Sequence, residues 1–253
     1  MPATLVHLTP ADYHEIRPED FNAPGLRAYE SIGPYTSLRA SGPLLMVHDG
    51  RFDANRGIGY HPHRGMERLF YILAGTVSHD DARNGIRGRM DTGDLGILTE
   101  GALGMVHSEW NVADEPGRAY ILVYPNDPLA PTARFDAVRD ADAPRLVEAG
   151  GVVTKQLITR GSGRLGGDVR EFADSLMAAG SGVALRIGEN EGALLFVVDG
   201  EVTVSLDAQT VIAGADDTVL APPAAEPRTV RVQAREDRRV LRAVHGAGFG
   251  PRR

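Results

Sequence analysis

The shortness of the apolar runs limits the fold more than any other feature of this sequence. Between about residues 29 and 124, Leu44–His48, Arg68–Leu73, Gly96–Leu98 and Ala119–Tyr124 each have the length of a strand and fall short of an amphipathic helix. Asp49-Gly50, Asn84-Gly85 and Thr92-Gly93-Asp94 separate them, which is hairpin and loop chemistry. The 30 Gly and 16 Pro of the 253 residues suit a turn-rich protein. Many short strands punctuated in this way predict an all-β sandwich or barrel.

The pattern breaks once. Pro125-Asn126-Asp127-Pro128 and Pro131 open a stretch that Asp140-Ala141-Asp142-Ala143-Pro144 closes. We read residues 125–144 as a connector between domains at 1–124 and 145–253. Short strands resume at Val152–Thr159, Gly182–Ile187, Ala193–Val198, Glu201–Leu206 and Arg228–Val232, while Glu171–Met177 reads as a helical turn or a loop. The halves also resemble each other. Arg68–Val77 overlays Ala193–Val202, each an apolar strand, a turn with Gly75 or Gly200, and a second strand; Gly93–Leu98 parallels Ala215–Leu220. Such self-similarity predicts a duplicated β-domain.

Composition narrows the chemistry. With no cysteine, disulfides, thiolate zinc sites, iron–sulfur clusters and a cysteine nucleophile are excluded. Any metal must be held by the 8 histidines and the carboxylates. A net charge of −7 argues against a general nucleic-acid binder. Arginine abundance says little, because Lys155 is the only lysine among 27 basic residues, a bias typical of GC-rich coding. No apolar run approaches the roughly 20 residues of a membrane span, and the acidic amino terminus does not read as a signal peptide. A cytoplasmic location is the expectation.

Two segments carry chemistry. In Gly59-Tyr60-His61-Pro62-His63-Arg64-Gly65 the histidines are two apart, so on a strand both face one side. Pro62 places that strand at a sheet edge or a strand start. In Gly104-Met105-Val106-His107-Ser108-Glu109-Trp110-Asn111, His107 and Glu109 share a face in the same way. Together the segments offer three imidazoles and a carboxylate, which suit a divalent first-row metal and leave coordination positions open. Open positions are what a catalytic metal requires.

The stretch 59–111 resembles the amino-terminal cupin domain of the pirin family. His-Pro-His-Arg-Gly and His-Ser-Glu match the two pirin motifs, and Gly75, Gly93-Asp94 and Gly101 fall where a cupin barrel turns. The resemblance implies a bicupin: two jelly-roll barrels, an N-terminal metal-binding domain and a C-terminal domain without ligands. It implies His61, His63, His107 and Glu109 as ligands to one divalent metal per chain, Fe(2+) foremost, with Mn, Ni, Co, Cu and Zn chemically compatible. It also implies a quercetin 2,3-dioxygenase-like activity on a flavonol or similar enolic or phenolic substrate with O2, with Glu109 as ligand or base. A second class of pirins acts through protein partners, with the metal's redox state as the switch; a sugar- or small-molecule-binding cupin with a bystander metal ranks third. Met66 stands where pirins commonly have an aromatic, and Tyr120–Pro125 where many have a longer strand. Both differences bear on pocket shape.

The remaining candidates have plainer expectations. Glu67 shares the parity of His61 and His63, but a bulge at Gly65 would re-aim it. Arg64 is expected in an ion pair on the opposite face, with a role in orienting an anionic substrate as the alternative. His48 is expected partly buried or exposed, His79 solvated in a charged loop, and His7 and His14 without local partners. Trp110 is expected in the core, and the arginines of Arg235–Arg242 on a solvated face. Gly161-Ser162-Gly163 and Gly166-Gly167 lack the setting of a phosphate loop and read as flexible.

Overall fold

The computed structural model describes residues 4–21, 23–162 and 165–246. The first strands are β1 (Val6–Leu8), β2 (His14–Ile16), β3 (Leu26–Ile32), β4 (Met46–Phe52), β5 (Gly57–His63), β6 (Met66–Ala74), β7 (Thr76–Asp81), β8 (Ile86–Asp91), β9 (Leu95–Thr99), β10 (Met105–Asn111) and β11 (Gly117–Pro125). There follow β12 (Arg134–Val138), β13 (Arg145–Val147), β14 (Val153–Ile158), β15 (Val169–Met177), β16 (Gly182–Ile187) and β17 (Gly192–Asp199). The last are β18 (Val202–Leu206), β19 (Gln209–Ala213), β20 (Thr218–Ala221), β21 (Arg228–Ala234) and β22 (Arg238–His245). Among the described residues the only helical element is the short 3-10 turn Pro10–Asp12.

Two sheets build each half. The first half pairs a seven-stranded sheet, β12-β9-β6-β11-β4-β3-β2, with a four-stranded one, β5-β10-β7-β8. The second repeats the order strand for strand as β1-β20-β17-β22-β15-β14-β13 and β16-β21-β18-β19. The duplicated all-β plan, two cupin barrels, is therefore present. Two strands cross the boundaries expected from sequence. β1 pairs with β20 of the second half, and β12, inside the 125–144 stretch, completes the first half by pairing with β9. Each half thus lends the other its leading strand. Glu171–Met177 is neither helical turn nor loop but most of strand β15, paired on both sides by β14 and β22.

Strand β6 shows how the sequence fixes the packing. Leu69 and Tyr71 point to a core cluster shared with Phe172, Leu194, Phe196 and Leu241 of the second half. Phe70 and Ile72 point into the first barrel with Val77, Met90 and Leu98. Both faces are covered, so the run from Leu69 to Leu73 is apolar without alternation, the signature of a doubly buried strand. A third cluster fills the second barrel. Between the barrels Tyr120 stacks on Phe196 with ring centroids 4.2 Å apart, and Tyr71 meets Phe172 edge to face at 5.8 Å. Aromatic pairs of this kind add about 0.5–1.5 kcal/mol each beyond area burial. Polar staples flank them. Arg118 bridges Asp49 of β4, at 2.7 Å, and Asp216 of the second half, at 2.5 Å. Lys155 donates to the Gly93 carbonyl at 3.0 Å and to Asp140 at 2.6 Å, with its ammonium 4.9 Å from the Tyr71 ring centre.

Candidate metal centre

Strand β5 is the edge of its sheet, where the missing N–H of Pro62 costs no ladder bond. It pairs antiparallel with β10, placing His61 opposite His107, and His63 opposite Met105. The register shifts between His107 and Glu109. That shift brings the Glu109 backbone so close to Gly57 that a β-carbon there would lie 2.1 Å from the Glu109 carbonyl oxygen; only glycine permits the approach. The outcome is a convergent set. Ring centroids of His61 and His107 are 4.5 Å apart, of His61 and His63 4.7 Å, and of His63 and His107 4.9 Å. One nitrogen from each ring lies within 4.8 Å of the others. Glu109 reaches the same place, with Oε2 3.8 Å from His61 Nε2 and Oε1 2.8 Å from His107 Nδ1.

Hydrogen bonds set the tautomers. His61 Nδ1 lies 2.8 Å from the Gly59 carbonyl, so Nδ1 carries the proton and Nε2 offers a lone pair to the site. His63 is held differently. The Arg68 guanidinium can only donate, and its Nη2 lies 2.9 Å from His63 Nδ1, which leaves the proton of the neutral ring on Nε2, so His63 can ligate a metal only once Arg68 releases Nδ1. Arg68 is itself fixed by Glu100 at 2.7 Å. Burial, reinforced by the Arg68 charge and the other imidazoles, lowers the His63 pKa to about 2. Burial likewise lowers that of His61 against the pull of Glu109. Burial alone would raise the Glu109 pKa, but the His107 imidazole at 2.8 Å and the His79 imidazole at 3.8 Å override it and hold the carboxyl well below the usual range.

His79 is the residue that the sequence reading misplaced. It is not solvated in a loop: it sits on β7 opposite Glu109, 1% exposed, with Phe135 of β12 stacked on its ring at 5.4 Å. Its Nδ1 lies 3.3 Å from His107 Nδ1 and 3.8 Å from Glu109 Oε1. His79, His107 and Glu109 therefore form a second donor group overlapping the first. The signal was its alternation with Val77, since both are buried on one face of β7. Arg68 and Glu100 were missed as well, and their apolar or loop neighbours in sequence gave no cue.

Other expectations resolve as follows. Gly65 adopts a φ of +80°, and the chain there passes from one sheet to the other, reversing parity. Glu67 consequently leaves the site, buried, and accepts hydrogen bonds from Asn126 and from the Gly166 backbone, each at 2.8 Å. Arg64 is exposed and forms no ion pair among the described residues. His48 is held by Glu30 at 2.9 Å, His7 by Asp217 at 2.7 Å, and His14 stacks on Tyr35. Trp110 is half-buried on the outer side of β10 rather than in the core. The Arg235–Arg242 face is not wholly solvated: Arg242 is buried, and Arg239 is paired with Asp174. Gly163 lies outside the described residues, while Gly166 is tied to Glu67.

The donor set lines a cavity of about 160 Å³. Its walls are otherwise mostly apolar, with Phe21, Leu26, Phe52, Ile58, Phe70 and Ile121 among them. Beside it the buried His107 Nε2 has no hydrogen-bond partner. Such an atom is costly unless something satisfies it, and a divalent cation does so directly; the residues fit a metal. Among the described residues the second barrel offers no such set. Matching its strands by topology and register puts Leu185, Ile187, Val230 and Val232 where the first has His61, His63, His107 and Glu109, and Val204 in the place of His79. All five belong to the apolar core of that barrel. Extending the overlay of Arg68–Val77 on Ala193–Val202 back without a gap puts Arg186 and Gly188 opposite the two histidines, one residue out of register and so on the wrong face.

Comparison with known proteins agrees with this architecture. The pirin family model matches residues 19–122. A provisionally named quercetin 2,3-dioxygenase of Pseudomonas aeruginosa is 32% identical over 208 residues, spanning 75% of this chain and 71% of that protein. The quercetin 2,3-dioxygenase of Escherichia coli K12 is 36% identical over 102 residues, 38% of this chain and 43% of its own length. Among solved structures, the Escherichia coli pirin YhhW in complex with nickel(II) superposes with a TM-score of 0.76 at 20% identity, covering 96% of this chain and 99% of that one. Fold and site together define a double-barrelled cupin protein. The chain belongs to the pirin family.

Proposed function

We propose that this protein is a metal-dependent dioxygenase of the quercetin 2,3-dioxygenase type, with His61, His63, His107 and Glu109 holding one divalent ion, Fe(2+) foremost. The observation that carries the reading is a convergent set of three imidazoles and a carboxylate lining an otherwise largely apolar cavity. When bound, the metal supplies Lewis acidity and a template on which a substrate hydroxyl and O2 are brought together. The chain's own residues do the rest. Phe52, Phe70 and Ile121 present flat apolar walls to a ring, excluding water from the reacting end. Glu109, kept ionised by His79 and His107, accepts a proton.

Size narrows the substrate. A cavity of ~150 Å³ holds about one benzene ring, so the 160 Å³ here admits a single ring. A flavonol would enter by its enolic ring and leave the remainder at the mouth beside Phe21, which is half exposed. The test is metal analysis joined to oxygen uptake with quercetin and simple catechols. About one metal per chain and metal-dependent uptake are expected; fully loaded protein that consumes no oxygen with any of them overturns the reading.

One observation favours a second reading, a regulator acting by protein contact. The strand bearing two of the donors is a sheet edge, with Tyr60 exposed upon it, and open edges are templates for pairing with another chain. Under that reading the metal tunes the edge, and loaded protein binds a partner without turnover.

A further inference from the structure

A larger cavity lies in the barrel whose described residues hold no donor set. It measures about 860 Å³ and is lined from β13, β14, β15, β16, β21 and β22. All six are the topological equivalents of β2, β3, β4, β5, β10 and β11, which line the metal cavity. The second barrel has therefore kept the pocket while its imidazole positions became aliphatic. What it gained is guanidinium. Arg242 of β22 occupies the place of Ile121 of β11, and Arg228 of β21 that of Met105 of β10.

The pairing of these arginines is incomplete. Arg160 is satisfied by Glu171 and Glu191, and Arg242 Nη2 by Glu148 and Thr154. Arg242 is only 6% exposed, and its Nε has no partner. Arg228 engages the Pro222 carbonyl through Nη2 alone; its Nε and Nη1 are buried and unpartnered. No carboxylate pairs with Arg228 or with the exposed Arg186 among the described residues. Withdrawing a guanidinium from water without a counter-ion is unfavourable, and in Arg228 burial already lowers the pKa. The pocket carries four arginines against the two lining glutamates, Glu148 and Glu171, in a chain whose net charge is −7. Leu146, Ile158, Ile187 and Pro227 supply apolar wall.

We propose that the second barrel is a binding site for a small organic carboxylate, its carboxylate on the fork of Arg228 and its apolar body against Leu146, Ile158 and Ile187. Two parallel N–H donors of a guanidinium match a carboxylate bidentately, and the volume falls in the range of pockets that hold metabolites. Occupancy is independent of the metal centre and of what that centre catalyses.

The test is calorimetric titration of the full, metal-free chain with benzoate and hexanoate, and in parallel with inorganic phosphate. Both carboxylates are expected to bind, and phosphate at least tenfold more weakly. Arg228→Met is expected to weaken benzoate at least tenfold with metal content unchanged, and Arg228→Lys to restore only part of the loss, because an ammonium lacks the fork. His107→Ala is expected to leave benzoate binding intact. Should Arg228→Met not fold, Ala184→Trp decides, since Ala184 lines the cavity from β16 and an indole there must abolish binding. Benzoate binding that survives Ala184→Trp or disappears in His107→Ala, a preference for phosphate, or no carboxylate binding at all, would each overturn the proposal.

Discussion

His79 and Glu109 face each other across adjacent strands of the four-stranded sheet, imidazole Nδ1 3.8 Å from carboxylate Oε1. The pairing fixes the one carboxylate donor in a pocket otherwise built of imidazoles, hydrocarbon and the Arg68 guanidinium. A residue that orients a ligand in this way typically accounts for about 10–100-fold in metal affinity. His79→Phe keeps the stacking on Phe135 but removes the nitrogens. It is expected to weaken the metal by such a factor in chelator competition while the unfolding midpoint of the metal-free chain stays close to the parent's.

The four proposed ligands should differ in weight. His61→Ala, His63→Ala and His107→Ala each remove a neutral donor from a set of four, and metal content by plasma emission is expected to fall from about one per chain to a small residue. Glu109→Gln keeps an oxygen in place and removes the charge. Partial occupancy with no oxygen uptake is the expected result; full uptake by Glu109→Gln would remove Glu109 from the role of base.

Lys155, the chain's single lysine, ties β14 to the Gly93 turn and to Asp140 across the barrel interface. Lys155→Met preserves the stem and deletes three donors. Hydrogen bonds to charged groups contribute about 1.5–3 kcal/mol, so urea unfolding of the metal-free protein should show a loss of about 2 kcal/mol.

Acid should find His245 in the second barrel. The ring is fully buried, Nδ1 donates to the Gly246 carbonyl at 3.0 Å, and burial lowers its pKa. Above about pH 6.5, the ordinary histidine value, folded and unfolded chains are both neutral here and this contribution is intact. As the pH falls below that value the unfolded chain takes a proton that the folded one refuses. Stability then falls by up to about 1.4 kcal/mol per pH unit. His245→Asn should be less stable at pH 7 yet lose less between pH 6.5 and 5; parallel stability curves for the two proteins would refute this.

Strand parity made most of the site legible. His61 with His63, and His107 with Glu109, stand two apart in sequence and converge in space, because β5 and β10 are neighbours. His79 was lost because Asp80 and Asp81 beside it look like a loop, although Asp81 is buried on the same face and accepts hydrogen bonds from its own turn. Arg68 was hidden by parity itself: Gly65 inverts the alternation, turning Arg68 inward and Glu67 outward. Strand existence was readable wherever an apolar run was buried on both faces, as in β6. It failed for Glu171–Met177, whose alternating polar residues line the second cavity or bind across the interface. The exchange of β1 and β12 leaves no local mark, since edge strands of 3 and 5 residues carry no information about which sheet they join.

That exchange has a consequence for how the protein can be divided. A gene cut at the middle would yield one fragment whose large sheet lacks β12 and another whose large sheet lacks β1, each with a raw edge next to its most apolar strands. Neither fragment is a module that evolution or an engineer can move alone. The barrel that carries the imidazoles and the barrel that carries the arginines are inherited, folded and lost together.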